Sequence, residues 1–113
     1  MPAIAYPRQR SEAEVQAEIY HAFKSAGFTP RLEVPGSWVN PAGRVVRVRF
    51  DVVVFADRKP LCIIECKKTV NPSHRQGQLA AYSQFGVPVY MGWENNAQVL
   101  VEQVEKLACS SLP

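Results

Sequence analysis

The sequence predicts a single α/β domain in which a helix leads into three strands, followed by a helix, a fourth strand and a C-terminal helix. Three observations predict it. Ser11-Glu12-Ala13-Glu14 is a capping-box pattern, and after it Val15, Ile19, Ala22, Phe23 and Ala26 recur at helical spacing until Gly27. Two runs rich in Val, Ile, Leu and Phe, residues 50–55 and 61–66, flank the turn-like Ala56-Asp57-Arg58-Lys59-Pro60, the pattern of two buried strands paired as a hairpin. Near the end, Val101, Val104, Leu107 and Ala108 return to helical spacing. A length of 113 residues suffices for one core but not for two.

In chain order, residues 1–10 are expected to form a loose arm and residues 11–26 the first helix. Residues 28–34 read as the first strand, with Pro35-Gly36 breaking it and Asn40-Pro41-Ala42-Gly43 making a second turn. Trp38, between these breaks, is expected to be a packing anchor, with base stacking as its other use. After the hairpin, Thr69-Val70-Asn71-Pro72 is a loop, and Ser73 caps a helix running to about Phe85. Gly86 ends that helix, residues 87–93 form the fourth strand, and Glu94-Asn95-Asn96 turns into a helix over 97–109. That last helix is assigned to packing or a subunit contact, with Glu102, Glu105 and Lys106 exposed.

With 47% hydrophobic and 20% charged residues the chain falls among ordinary globular proteins. No apolar run reaches membrane-spanning length and the start lacks a secretory core, so a cytoplasmic location is expected. Cys62, Cys66 and Cys109 form no C-x-x-C pair, and an odd number does not suggest a disulfide framework; Cys62 and Cys66 are expected as reduced core residues. The net charge of +3 is unevenly spread: between Arg44 and Arg75 stand Arg44, Arg47, Arg49, Arg58, Lys59, Lys67, Lys68 and Arg75, against only Asp51, Asp57 and Glu65. Such a surface suits a polyanion. By alternation Arg47 and Arg49 share the face of Asp51, where they would meet phosphates, and His74 and Arg75 at a helix start are further phosphate contacts.

The stretch FDVVVFADRKPLCIIECKK, residues 50–68, carries the chemistry. Glu65 and Lys67, two apart on a strand, share one face, and the hairpin places Asp51 opposite the end that carries Glu65. Carboxylates in strands this apolar are costly unless they are paired or hold a cation. The oxygens of Asp51 and Glu65, with backbone carbonyls and water, suit a hard ion such as Mg2+ or Mn2+. Lys67 beside them would help deprotonate a water or offset charge on a phosphate, a layout suited to phosphodiester cleavage.

Asp51, thirteen intervening residues and then Glu65-Cys66-Lys67 resembles the signature of the PD-(D/E)xK nuclease superfamily, with Phe50 in place of the proline that gives the superfamily its name. The surrounding Arg49-Phe50-Asp51 and KPLCIIECKK are similar to the amino-terminal nuclease domain of type I restriction enzymes and to small virus-type replication-repair nucleases. Gln78-Leu79-Ala80-Ala81-Tyr82 resembles the QxxxY motif that follows the lysine in RecB-type nucleases. The resemblance implies a restriction-endonuclease-like αβββαβ core, a mixed central sheet flanked by helices, and a Mg2+-dependent endodeoxyribonuclease. It further implies that a first-helix glutamate joins the metal site, Glu12 first and Glu18 second, because SEAEVQ is similar to the glutamate-then-glutamine spacing of the virus-type family. Gln78 would support the site, and Tyr82 and Lys68 would face DNA. A chain this short has little room to read sequence, so a structure-selective or partner-directed enzyme is expected, working as a homodimer or larger homo-oligomer. The alternatives are a sequence-specific restriction or homing-type endonuclease and a catalytically idle DNA-binding accessory subunit.

Overall fold

The computed structural model describes residues 12–67 and 85–110. These form an α/β arrangement: α1 (Glu12–Ser25), β1 (Thr29–Val39), β2 (Val45–Ala56), β3 (Lys59–Cys66), β4 (Val89–Gly92) and α2 (Ala97–Ser110). The expected arm, the Ser11 cap and the helix expected from Ser73 lie outside the described residues, and so do Lys68, His74, Arg75, Gln78 and Tyr82. No helix among the described residues is long and apolar enough to cross a membrane.

The four strands form one mixed sheet in the order β1-β2-β3-β4. Both β1–β2 and β2–β3 are antiparallel, and β3–β4 is parallel. Helix α1 buries Val15, Ile19 and Phe23, the stripe read from its spacing. Its end is a Schellman arrangement: Phe28 N–H donates to Phe23 O at 3.1 Å, Gly27 N–H donates to Lys24 O at 3.1 Å, and the Phe23 and Phe28 rings pack edge to face. Val15, Ile19 and Phe23 join Leu100, Val101 and Val104 of α2 over one sheet face, on Val52, Val54, Cys62, Ile64 and Cys66. Phe50, Val53 and Ile63 form a second cluster, with Val34, Val48, Phe55, Phe85, Val87 and Val89 packed against it. Cys62 and Cys66 are free, buried core residues, as their alternation predicts.

The hairpin between β2 and β3 is tighter than expected. Only Asp57 and Arg58 lie between the strands, both with positive φ (51° and 67°), the pattern of a type I′ turn whose twist matches the flanking strands. A larger difference lies in β1, which runs through Pro35-Gly36 to Val39 instead of stopping at Val34. Two physical facts remove the break. Strand β1 is at the sheet edge, where the missing N–H of a proline costs no ladder bond. Gly36 lies against the Phe50 ring, whose Cε2 would stand 2.6 Å from any added Cβ, so the glycine answers a close approach within the strand. Trp38 consequently sits in β1 and packs edge to face on Phe85 with ring centroids 5.7 Å apart, which is the packing role. The turn at Asn40–Gly43 is as read: Gly43 N–H donates to Asn40 O, and Asn40 Oδ1 accepts from Arg44 N–H.

Helix α2 is entered through the expected turn, where Asn96 Oδ1 accepts from Trp93 N–H and Asn96 Nδ2 donates to Met91 O. Its buried residues are Ala97, Leu100, Val101 and Val104, so the packed stripe lies nearer the N-terminus than the expected Leu107 and Ala108. Strand β4 is also shorter than residues 87–93.

Candidate metal-dependent active site at the strand fork

Strand β3 pairs with β2 only up to Val52↔Ile64, while β2 continues outward, paired with β1 alone, from Phe50 to Val45. The sheet therefore forks at Asp51. At the fork Cys66 N–H donates to Asp51 Oδ2 at 2.8 Å, so a side chain takes a donor that a continued ladder would send to the backbone of β2. On the other side of β3, Lys67 N–H donates to Gly92 O at 2.8 Å, which fixes the backbone of the expected lysine to the end of β4. Glu65 pairs in register with Met91 and is 3% exposed.

Asp51 also marks a slip in the phase of β2. Val52 and Val54 belong to the helix-side cluster and Val53 to the other, as alternation requires, yet Phe50 packs with Val53. Across the sheet Glu33 has a φ of +54°, and the β1–β2 register passes from Leu32↔Val52 to Val34↔Phe50. The slip corrects one step of the sequence reasoning, because alternation counted through Asp51 no longer assigns its face to Arg47 and Arg49. Arg49 instead extends to Glu33, with Nη1 3.5 Å from Oε2, in an exposed pair. Arg47 is exposed opposite Ser37 on the two-stranded part of the hairpin.

Gln16, on the apolar stripe of α1, reaches both strands. Its Nε2 donates to Asp51 O at 2.9 Å and to Glu33 Oε1 at 3.2 Å. Glu33 was outside the candidate set; an acidic residue in an exposed strand carries no signal of this geometry, whereas the Glu12-to-Gln16 spacing did draw attention to Gln16.

The electrostatics of Cys66 show which charges gather here. Burial raises its thiol well above the ordinary range, the carboxylates of Asp51, Glu65 and Glu12 raise it further, and Lys67 acts in the opposite sense. The charges of Asp51, Glu65, Glu12 and Lys67 thus all act on this one buried sulfur. Of the α1 glutamates it is Glu12 whose charge is felt there, while Glu18 is half-buried further along the helix. No group of three or more His, Cys, Asp or Glu side chains able to hold a metal ion occurs among the described residues. Glu12, exposed at the start of α1, therefore does not close a three-carboxylate set with Asp51 and Glu65.

No family model, curated protein or solved structure matches this chain. The chemistry of the site therefore rests on its own donor set. Two carboxylates near a strand end, one buried and one oriented by a backbone N–H, fit a hard cation that takes one or two carboxylates and keeps water in its remaining positions. Thiols would suit a softer metal, but neither buried cysteine supplies a thiolate at neutral pH.

Burial pushes the Cys62 thiol up to about 12, and that of Cys66 is also raised. Both stay protonated in the fold where free thiols ionise near pH 8.5. Above that pH the unfolded chain holds fewer protons than the native one, so stability falls as pH rises from about 8.5 towards 12. At pH 7.5 an alkylating reagent is expected to label Cys109, which is exposed, and to reach Cys62 and Cys66 only after denaturant is added. Mass spectrometry of the labelled chain checks this, and native labelling of Cys66 would contradict the packing of β3.

Proposed function

We propose that this chain is a metal-dependent DNA endonuclease of the PD-(D/E)xK kind. Asp51 and Glu65 hold Mg2+ or Mn2+, and Lys67 assists the attack of water on a phosphodiester. The observation that carries the reading is Glu65, a carboxylate 3% exposed, next in sequence to the Cys66 N–H that holds a second carboxylate, that of Asp51. A buried carboxylate is costly unless it is paired, hydrogen-bonded or holding a cation, and a cation shared with Asp51 would meet that cost.

The bound cation would supply Lewis-acid polarisation of the phosphate and a lowered pKa for its water. The chain's residues do the rest. The Cys66 N–H orients the Asp51 carboxylate. Lys67 offsets negative charge developing on the phosphate, or takes part in deprotonating the attacking water. Glu12 adds negative charge at the edge of the site from α1, and Gln78, outside the described residues, supports the site through its resemblance to the QxxxY motif. Arg47, on the outer part of the hairpin, and Arg49 meet flanking phosphates, joined by Lys68, His74, Arg75 and Tyr82 in the segment outside the described residues. Cutting both strands of a duplex requires two such sites, which a two-fold homodimer supplies.

Few side chains are free to read base edges, so affinity is expected to fall with salt and to vary little with sequence, and branched or end-bearing DNA should be cut ahead of plain duplex. The test incubates labelled four-way junctions, splayed ends, single strands and duplexes of several sequences with Mg2+ and with Mn2+. Cutting at one short sequence in plain duplex would replace the structure-selective reading with a restriction or homing-type enzyme. Salt-sensitive binding without cleavage of any substrate would leave an accessory DNA-binding subunit.

A further inference from the structure

We propose that Glu33, acting through Gln16, is the positioning residue that sets the Asp51 carboxylate. The inference rests on the reading of Asp51 as a metal-holding group.

Glu33 occupies a left-handed backbone conformation inside β1, a position where glycine would be relaxed and where a longer side chain costs free energy. The side chain itself is what this position uses. One carboxylate oxygen accepts from Gln16 Nε2 at 3.2 Å and the other lies 3.5 Å from Arg49 Nη1. The exposed Arg49 pair holds little by itself, since solvent screens both partners. The bond to Gln16 is exposed too, but Gln16 is half-buried and passes it on through a part-buried bond to Asp51 O. An amide can present either end, and Asp51 O and Glu33 Oε1 are both acceptors, so a carboxylate at 33 turns the NH2 of Gln16 towards the backbone of Asp51.

The consequences converge on one residue. The ladder of β2 with β3 stops beside Asp51, its phase slips there, and the strand across from it turns left-handed at Glu33. With β3 parted from β2, this stretch is laddered to β1 alone, and another tie helps to hold the Asp51 carboxylate still. Gln16 from α1 and Glu33 from β1 supply it, leaving Asp51 Oδ2 aimed at Cys66 N–H. Groups bonded directly to a metal-holding side chain typically change metal affinity or activity 10- to 100-fold when removed, and Glu33, one bond further out, is expected at the foot of that range.

The test compares Glu33→Gly, Glu33→Gln and the wild-type chain. Glu33→Gly relaxes the backbone, so its Tm should equal or exceed that of the wild type. It should nevertheless speed hydrogen exchange of the Cys66 amide, weaken Mn2+ binding about 10-fold and lower kcat by a similar factor. KM for DNA should stay level or fall, because Arg49 loses a competing carboxylate. Glu33→Gln keeps an acceptor for the Gln16 amide and should restore the exchange rate and most of the affinity. Unchanged Cys66 exchange in Glu33→Gly, or equal damage in both variants, overturns the proposal. The exchange measurement needs neither DNA nor metal, so a wild type that cuts no DNA would remove the nuclease reading while leaving this inference to be decided on the amide.

Discussion

Lys67→Ala is expected to fold, to bind divalent metal at least as well as the wild type, and to lose cleavage by roughly 10²- to 10⁴-fold. The fold should survive because the structural tie at this position is the backbone N–H to Gly92 O, which alanine retains. Metal binding should not weaken, since the ammonium opposes the field of Asp51, Glu65 and Glu12 at Cys66, and its removal leaves that field more negative. Cleavage should fall because the group that offsets phosphate charge or moves the proton of the attacking water is gone. Lys67→Arg separates the two roles: it keeps the charge but is a poor proton acceptor, so rescue would assign Lys67 to charge stabilisation. Single-turnover rates at saturating protein, with circular dichroism and metal titration on the same samples, provide the readout. Full activity in Lys67→Ala would reduce the lysine to a neighbour of the site.

Gly92→Ala is expected to destabilise the domain by about 1–3 kcal/mol, the range for overpacking a filled core. An added Cβ would overlap Ile19 Cδ1 and stand 3.1 Å from Ile64 Cγ2, and both side chains are fully buried. The site feels the same change, because Gly92 pairs with Cys66 and accepts the Lys67 N–H. The variant should therefore lower Tm and weaken metal binding together. Shortening Ile19 to valine in the same chain should recover part of the Tm, and a double-mutant cycle by thermal unfolding measures the coupling. A Tm equal to that of the wild type would contradict the close packing of α1 on β4.

The elements that frame the candidate site could be read from the sequence because their signals are local. Apolar runs on both sides of Asp57-Arg58 define the hairpin, and the stripe of Val15, Ile19 and Phe23 predicts the helix face that packs on the sheet. What could not be read depends on partners distant in sequence. Pro35-Gly36 looks like a strand break until β1 is known to be an edge and Phe50 is known to press on Gly36. Alternation carried Arg47 and Arg49 to the face of Asp51 because nothing in residues 45–56 announces the phase slip, which arises where β3 parts from β2 and Glu33 turns left-handed. A backbone dihedral leaves no mark on a glutamate, and the press of Ile19 on Gly92 joins residues far apart in sequence, so neither position stood out.

Calorimetric titration of Mg2+ and of Mn2+ into the wild-type chain and into an Asp51→Ala, Glu65→Ala double variant tests most directly that the fork holds a divalent cation. Weak, saturable binding by the wild type is expected, since the site offers two carboxylates and relies on water for its remaining ligands. That binding should vanish in the double variant, with circular dichroism confirming that the sheet is retained. Equal heats from both proteins would contradict the account, because the cation would then be held elsewhere and Asp51 and Glu65 would not be its ligands.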